Sequence, residues 1–236
     1  MSGGVIAIDG PSASGKSSTA RAVAEALGFV HLDSGSLYRG VTLVGLREMA
    51  RQGTRGSDPA RDLAPETLLR AAEDRGLMLQ PDGAGFAAYL EGEPVDDALR
   101  SAAVTSSVSA ISAIPVVREW INARLRAMVR AGQNVVVDGR DIGTVVFPEA
   151  DLKIFLTASA EARAGRRISQ RGLEVQAEGL DAEAAALAAR DHADSTRTVA
   201  PLRAADDAVH LDTTAMGFAE QVAFIVERAR PIFSLP

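Results

Sequence analysis

The chain has 236 residues, 47% of them hydrophobic and 24% charged, with a formal net charge of −6. That length suits one α/β domain with a small insertion, and the acidic balance argues against nucleic acid as a partner, because a general binder shows a basic surface. The chain has no Cys, which excludes disulfides, thiolate metal sites and Cys nucleophiles. Met1-Ser2-Gly3-Gly4 has no basic leader character, and no apolar run approaches a membrane span. The expectation is a cytoplasmic monomer with no membrane partner.

The first element is a β-branched run, Val5 to Ile8, which reads as a buried strand. It feeds Asp9 and a Gly-rich turn, followed by a helix over 17–27 whose apolar face is Ala22, Val23, Ala26 and Leu27 and whose stop is Gly28. Gly10 and Gly15 bracket Pro11, Ser12, Ala13 and Ser14, and Lys16, Ser17 and Ser18 follow. This is the G-x-x-x-x-G-K-[ST] pattern in its strand–loop–helix setting. The glycines allow backbone geometry that a Cβ would block, so the loop can curl its N–H groups around a polyphosphate at a helix N-terminus. Lys16 would reach the β- and γ-phosphates, and the Ser17 hydroxyl would ligate Mg²⁺. A Gly-rich turn that merely precedes a helix is the plain alternative. Only two of the 25 basic residues are Lys, Lys16 and Lys153, which makes a chance match a poor explanation.

A short strand over 29–32 then delivers Asp33 to Arg39 at its carboxyl end, where ligands bind in open α/β sheets. A helix is expected over 37–49, closed by the polar stretch Arg51 to Asp58. Residues 59–100 have another texture: a helix over 65–75, then strands over 77–80 and 86–91 joined by Pro81 to Gly85, an αββ insertion. Helices follow over 102–113 and from Pro115 to about Ala131, with Trp120, Leu125 and Val129 as core candidates. Val135 to Val137 is a buried strand ending in Asp138-Gly139-Arg140-Asp141, and 152–156 is the next. Helices over 160–171 and 182–194, a strand over 208–212 and a helix over 218–230 complete the chain. Strands alternating with helices imply a P-loop NTPase-type α/β fold with a parallel sheet of about five strands covered on both faces.

With these residues in hand, the chain resembles the bacterial cytidylate kinases, within the nucleoside monophosphate kinase family. The resemblance covers nearly the whole length. It rests on Ile8 to Ser12 running into the phosphate loop, Leu32 to Gly35 with Tyr38-Arg39, Leu90 to Val95, the block Asp138 to Pro148, Arg190-Asp191, and Val199 to Leu202. It implies transfer of the γ-phosphoryl of ATP to CMP or dCMP with Mg²⁺, a core of 1–57 and 106–236, a small α+β substrate-binding insertion at about 58–105, and a helical lid at about 160–190. By matching position, Ser34, Tyr38, Arg39, Ser109, Arg118, Arg140, Asp141, Arg190, Asp194 and Arg197 are the implied acceptor contacts. Ser109 and Arg118 are the implied cytosine readers, and Asp194 the ribose acceptor. Arg163, Arg166 and Arg167 are the implied lid arginines. Lys16, Arg140, Arg163, Arg167 and Arg190 are the expected catalytic set.

The chemistry is compatible with that resemblance. Phosphoryl transfer to a phosphate needs no general base, so catalysis rests on positioning and charge neutralisation. The three His, His31, His192 and His210, lie near no nucleophile motif and read as structural or surface residues. Arg163, Arg166 and Arg167 recur at i, i+3 and i+4 and share a helix face, which on its own is also the pattern of a solvated, ion-paired surface. Arg190, Asp194 and Arg197 recur at i, i+4 and i+7, where an ordinary ion pair is the even alternative. Asp138 is a candidate to reach Mg²⁺ through water. Two other functions stay open: a P-loop kinase for a non-nucleotide acceptor, and a nucleotide-binding switch, although a guanine-reading Asn-Lys-x-Asp is absent.

Overall fold

The structure, a computed structural model, describes residues 3–53, 58–129 and 132–235. Met1 and Ser2, the middle of the Arg51 to Asp58 stretch and the expected helix end at Ala131 lie outside the described residues. In chain order the elements are β1 (Val5–Asp9), α1 (Lys16–Leu27), β2 (Val30–Asp33), α2 (Ser34–Arg51), α3 (Pro59–Asp62), α4 (Pro65–Asp74), β3 (Met78–Asp82), β4 (Gly85–Leu90), β5 (Glu93–Pro94), α5 (Asp96–Leu99), α6 (Ala102–Ser112) and α7 (Pro115–Val129). There follow β6 (Val135–Gly139), a π-turn (Ile142–Val146), β7 (Leu152–Thr157), α8 (Ala160–Gln170), α9 (Ala177–Thr196), β8 (Val209–Asp212) and α10 (Phe218–Ile232). No helix among the described residues is long and apolar enough to cross a membrane.

The chain forms two compact units, Met1–Leu32 with Val129–Pro236, and Asp33–Met128. In the first, the strand order is β2-β6-β1-β7-β8. β1 pairs in parallel with β6, Val5 opposite Val135, and with β7, Ile6 opposite Leu152, while β7 pairs in parallel with β8. β1 is buried at all five positions, as a strand flanked on both edges and faces requires. Ile6, Ile8, Val136, Ile154 and Leu156 pack against Ala20, Val23 and Ala24 of α1 and Ile225 and Ala229 of α10. Each of the buried Ile, Leu and Val side chains contributes about 1.5–3 kcal/mol by its burial. The buried stripe of α1 is Thr19, Ala20, Val23 and Ala24. It is rotated from the expected face, and Ala26 is exposed, because positions 20, 23, 24 and 27 keep the i, i+3, i+4 spacing.

The second unit reaches beyond 58–105 on both sides, because α2 packs against α4, α5 and α6. Leu37, Val41, Val44, Leu68, Val108, Ile111, Ile121 and Leu125 form its buried interior. β3, β4 and β5 are antiparallel. α2 begins three residues before the expected Leu37, since the Asp33 carboxylate accepts the Gly35 N–H at 2.8 Å and caps the helix there. Trp120 is not a core residue: it is half-buried, its indole N–H donates to Glu73 at 2.8 Å, and Arg124 stacks 3.3 Å above its ring. The π-turn, α3, α5 and β5 were not expected. α9 starts at Ala177, ahead of the expected 182.

Candidate active site

The loop between β1 and α1 has the geometry the glycines require. A Cβ on Gly10 would overlap the Leu156 carbonyl oxygen of β7. Gly15 sits at φ 95°, in the left-handed region, and no side chain caps the α1 N-terminus that follows it. The first-turn N–H groups and the positive end of the helix dipole are thus presented to an anion. The Lys16 ammonium donates to the Pro11 carbonyl at 2.9 Å, and Lys16 is only 6% exposed. Burial alternates along the loop: Ser12, Ser14 and Lys16 are buried, while Pro11, Ala13 and Gly15 are half-buried. Ser14 Oγ is fully buried and has no hydrogen-bond partner among the described residues, an orphan that an oxygen-rich ligand would satisfy.

Ser12 gathers three later segments onto this loop. Its N–H donates to Asp191 Oδ1 at 2.8 Å, its carbonyl accepts from Arg163 at 3.1 Å, and its hydroxyl accepts from Arg140 at 3.0 Å. Arg163 also pairs with the Asp191 carboxylate. Arg166 does something different from its neighbour: it donates to the Ser14 carbonyl at 3.1 Å and to the hydroxyl and carbonyl of Thr213 at 3.0 and 2.6 Å. It braces the loop from outside. Arg167 is half-buried on α8 and bonds Gln170 at 2.9 Å. The shared arginine face thus splits, with Arg163 and Arg166 bonded to the loop and Arg167 bonded to Gln170.

At the carboxyl end of β6, Asp138 is 1% exposed. Its Oδ2 accepts from the Ser17 hydroxyl at 2.5 Å, and its Oδ1 from His31 Nε2 at 2.8 Å. Burial pushes the Asp138 carboxyl up, but the His31 bond and charge, the Ser17 bond and Lys16 outweigh it and leave its pKa below the ordinary carboxylate value. Asp138 is therefore a fixed anion. Because a carboxylate only accepts, the Ser17 O–H must point to it, leaving the serine lone pairs for a cation. That donor set fits Mg²⁺, which takes one or two protein oxygens and fills the rest of its shell from phosphates and water.

The loop after β6 is anchored by Asp9. This carboxylate accepts the N–H groups of Ile142 and Gly143, each at 2.8 Å, at the start of the π-turn. Burial raises its pKa to about 6, against the lowering effect of those two bonds, while Asp141 pushes it up and Lys16 down. Arg140 projects from the same loop and donates to Asp194 at 3.2 Å. Arg197 lies 3.7 Å from Asp141 and 3.9 Å from Asp194, and donates to the Ala200 carbonyl at 2.6 Å. Arg140, Asp141, Asp194 and Arg197 thus form one alternating-charge cluster. Arg190 is half-buried one helical turn before Asp194.

The other expected acceptor residues lie in the second unit. Ser34 and Tyr38 are buried on α2. Arg39 donates to the Leu99 carbonyl at 3.1 Å and to Thr105 at 3.2 Å. Arg118 is buried on α7, with its guanidinium 5.3 Å from the Tyr38 ring centroid and bonded to the Ser112 carbonyl at 2.9 Å. Ser109 is half-buried on α6, and its carbonyl accepts from Ser112. Two surface cavities of this unit, about 340 and 610 Å³, surround Arg75, and neither contains an expected site residue.

Sequence reasoning missed four residues of the site: Asp9, His31, Asp191 and Thr213. Asp9 and Asp191 stood inside quoted motifs, and adjacency to Gly10 and Arg190 was the available signal. His31 and Thr213 gave none.

A phosphate loop on a central parallel strand, with a carboxylate on the adjacent strand holding the serine of that loop, defines a P-loop nucleotide-binding protein. A family model described as cytidylate kinase matches residues 6–231. Curated relatives named cytidylate kinase are 46% identical in Rhodococcus jostii (strain RHA1), covering 90% of this chain and 89% of the relative, and 44% identical in Mycolicibacterium paratuberculosis (strain ATCC BAA-968 / K-10), covering 96% and 95%. One from Streptococcus suis (strain 05ZYH33) is 42% identical and covers 96% of both chains. The chain belongs to the cytidylate kinase family and is a phosphotransferase.

Proposed function

We propose that this protein transfers the γ-phosphoryl group of ATP to CMP and dCMP, giving CDP or dCDP and ADP. The observation that carries the reading is the convergence on the phosphate loop of Arg140, Arg163 and the Asp138–Ser17 pair. An ionised acceptor phosphate oxygen forms the new bond to the γ-phosphorus as the bond to the β–γ bridging oxygen breaks, and ADP leaves with that electron pair. No proton has to be removed from the nucleophile, so the residues needed are positioners and cations.

Lys16 and the α1 N-terminus hold the β- and γ-phosphates of ATP. Ser17, with Asp138 bonded to it, would hold Mg²⁺, which would supply charge neutralisation of the phosphates. Arg140, Arg163, Arg167 and Arg190 stabilise the charge of the transferring group, as planar bidentate donors that never deprotonate. Ser34, Tyr38, Arg39, Arg140, Arg190 and Arg197 bind the acceptor's phosphate and sugar, with Asp194 on the ribose hydroxyls. Arg118 and Ser109 read the cytosine, and Asp141 accepts from its amino group. The segment at about 160–190 closes as a lid, and 58–105 belongs to the acceptor-binding part. The protein acts as a cytoplasmic monomer.

ADP release measured across CMP, dCMP, UMP and AMP tests the reading. Turnover of CMP and dCMP far above UMP and AMP is expected. Comparable rates with AMP or UMP would sink the base assignment, and nucleotide binding with no transfer to any monophosphate would sink the kinase reading. Light scattering in solution checks the monomer.

A further inference from the structure

His31 has a buried polar contact that the proposed reaction does not use. It lies on β2, next to β6 in the sheet, and is 4% exposed. Its Nε2 meets Asp138 Oδ1 at 2.8 Å, while Asp138 Oδ2 takes the Ser17 hydroxyl at 2.5 Å. The two oxygens of one buried carboxylate are thus divided between a histidine behind it and the serine in front of it. A carboxylate held at one oxygen only can turn about its terminal torsion, which is broad. Held at both, it has one orientation.

We propose that His31 is a positioning residue for the cation site: its bond to Asp138 Oδ1 fixes the carboxylate so that Oδ2 takes the Ser17 proton and the serine oxygen faces the metal. His31 would touch neither metal nor nucleotide. Partners of this outer kind orient the groups that do touch the ligand, and their loss typically costs ten- to hundredfold in metal affinity or activity. The bland alternative is a buried histidine that merely fills space and satisfies Asp138. The inference rests on the reading of a Mg²⁺–nucleotide donor at this loop.

The discriminating measurement is the ratio of ADP affinity with Mg²⁺ to that with EDTA, by titration calorimetry on the full chain. His31→Leu removes the donor. His31→Gln can present an amide N–H near the position of Nε2, and His31→Asn is polar but too short to reach. The Mg²⁺-dependent gain in affinity is expected to fall about tenfold or more in His31→Leu and His31→Asn. Most of it should return in His31→Gln, with Mg²⁺-free affinity within about twofold of wild type throughout. If His31→Leu does not fold, the Gln and Asn pair makes the same comparison. An unchanged Mg²⁺ gain in the Leu or Asn variant, an equal loss with and without Mg²⁺, or a Gln variant no better than Asn overturns the proposal. A wild-type protein whose ADP affinity ignores Mg²⁺ overturns the underlying reading and this inference with it. A wild-type Mg²⁺ gain that survives in the Leu or Asn variant removes His31 alone.

Discussion

The Asp191 carboxylate accepts the Ser12 backbone N–H at 2.8 Å and pairs with Arg163. An acidic side chain therefore sits on the loop that the proposed reaction loads with a polyphosphate, and it shares one of the arginines assigned to that phosphate. Like charges so placed repel. Asp191→Asn is expected to tighten ATP binding by roughly 1 kcal/mol, about fivefold in Kd. A fluorescence titration reads this directly, and weaker binding would mean that Asp191 serves only to brace the loop.

Lys16→Ala is expected to lower phosphoryl transfer by about 10²–10³-fold. Because Lys16 is buried and bonds the Pro11 carbonyl, the same substitution should also lower Tm by a few degrees, roughly 1 kcal/mol. Coupled ADP release and thermal unfolding measure the two effects separately. A near-normal rate contradicts the phosphate-clamp role.

Asp9 makes stability depend on pH. Its carboxyl has a pKa of about 6 here, against 3.8 ordinarily, so the folded state binds the proton more tightly. The contribution is therefore fully present below pH 3.8 and is lost as pH rises through 6. Wild type relative to Asp9→Asn should lose about 2 kcal/mol between pH 4 and pH 7. Urea unfolding of both proteins at the two pH values tests this, and parallel pH profiles would refute it.

Arg118 and Asp141 should affect base choice differently. A pyrimidine carbonyl that takes donors from Arg118 is common to CMP and UMP, whereas the amino group that needs an acceptor is found only on cytosine. Arg118→Met is expected to lower kcat/KM for both by about ten- to hundredfold. Asp141→Asn should narrow the preference for CMP, because an amide can present either a donor or an acceptor. Steady-state kinetics with the two nucleotides decides it, and a changed ratio in Arg118→Met alone reverses the assignment.

The phosphate loop was legible because its requirements are local: Gly10, Gly15, Lys16 and Ser17 form one short segment, and each has a backbone or ligand reason to be that residue. The parallel pairing of β6, β1, β7 and β8 was legible for a similar reason, through short apolar runs separated by helices. Residues whose partners lie far away in sequence were not. Nothing near His31 announces Asp138, and nothing in the helical spacing of Arg163, Arg166 and Arg167 separates the arginine on Ser12 from those on Thr213 and Gln170. The π-turn was hidden because its anchor, Asp9, belongs to the first strand. Trp120 was misplaced because hydrophobic periodicity cannot see an indole N–H bonded to a carboxylate.

The pairing of β1 with β6 on one side and β7 on the other bears on how the protein folds. Val5 has no strand neighbour until Val135 exists, and Ile6 none on its other edge until Leu152. During synthesis the N-terminal strand must therefore wait, apolar and unpaired, while more than half of the chain emerges. Such non-local closure is slow and exposes sticky edges on the way. The residues assigned to ATP are made before the strands that flank them, and their shape is completed only by those later strands. The nucleotide site is among the last things to form.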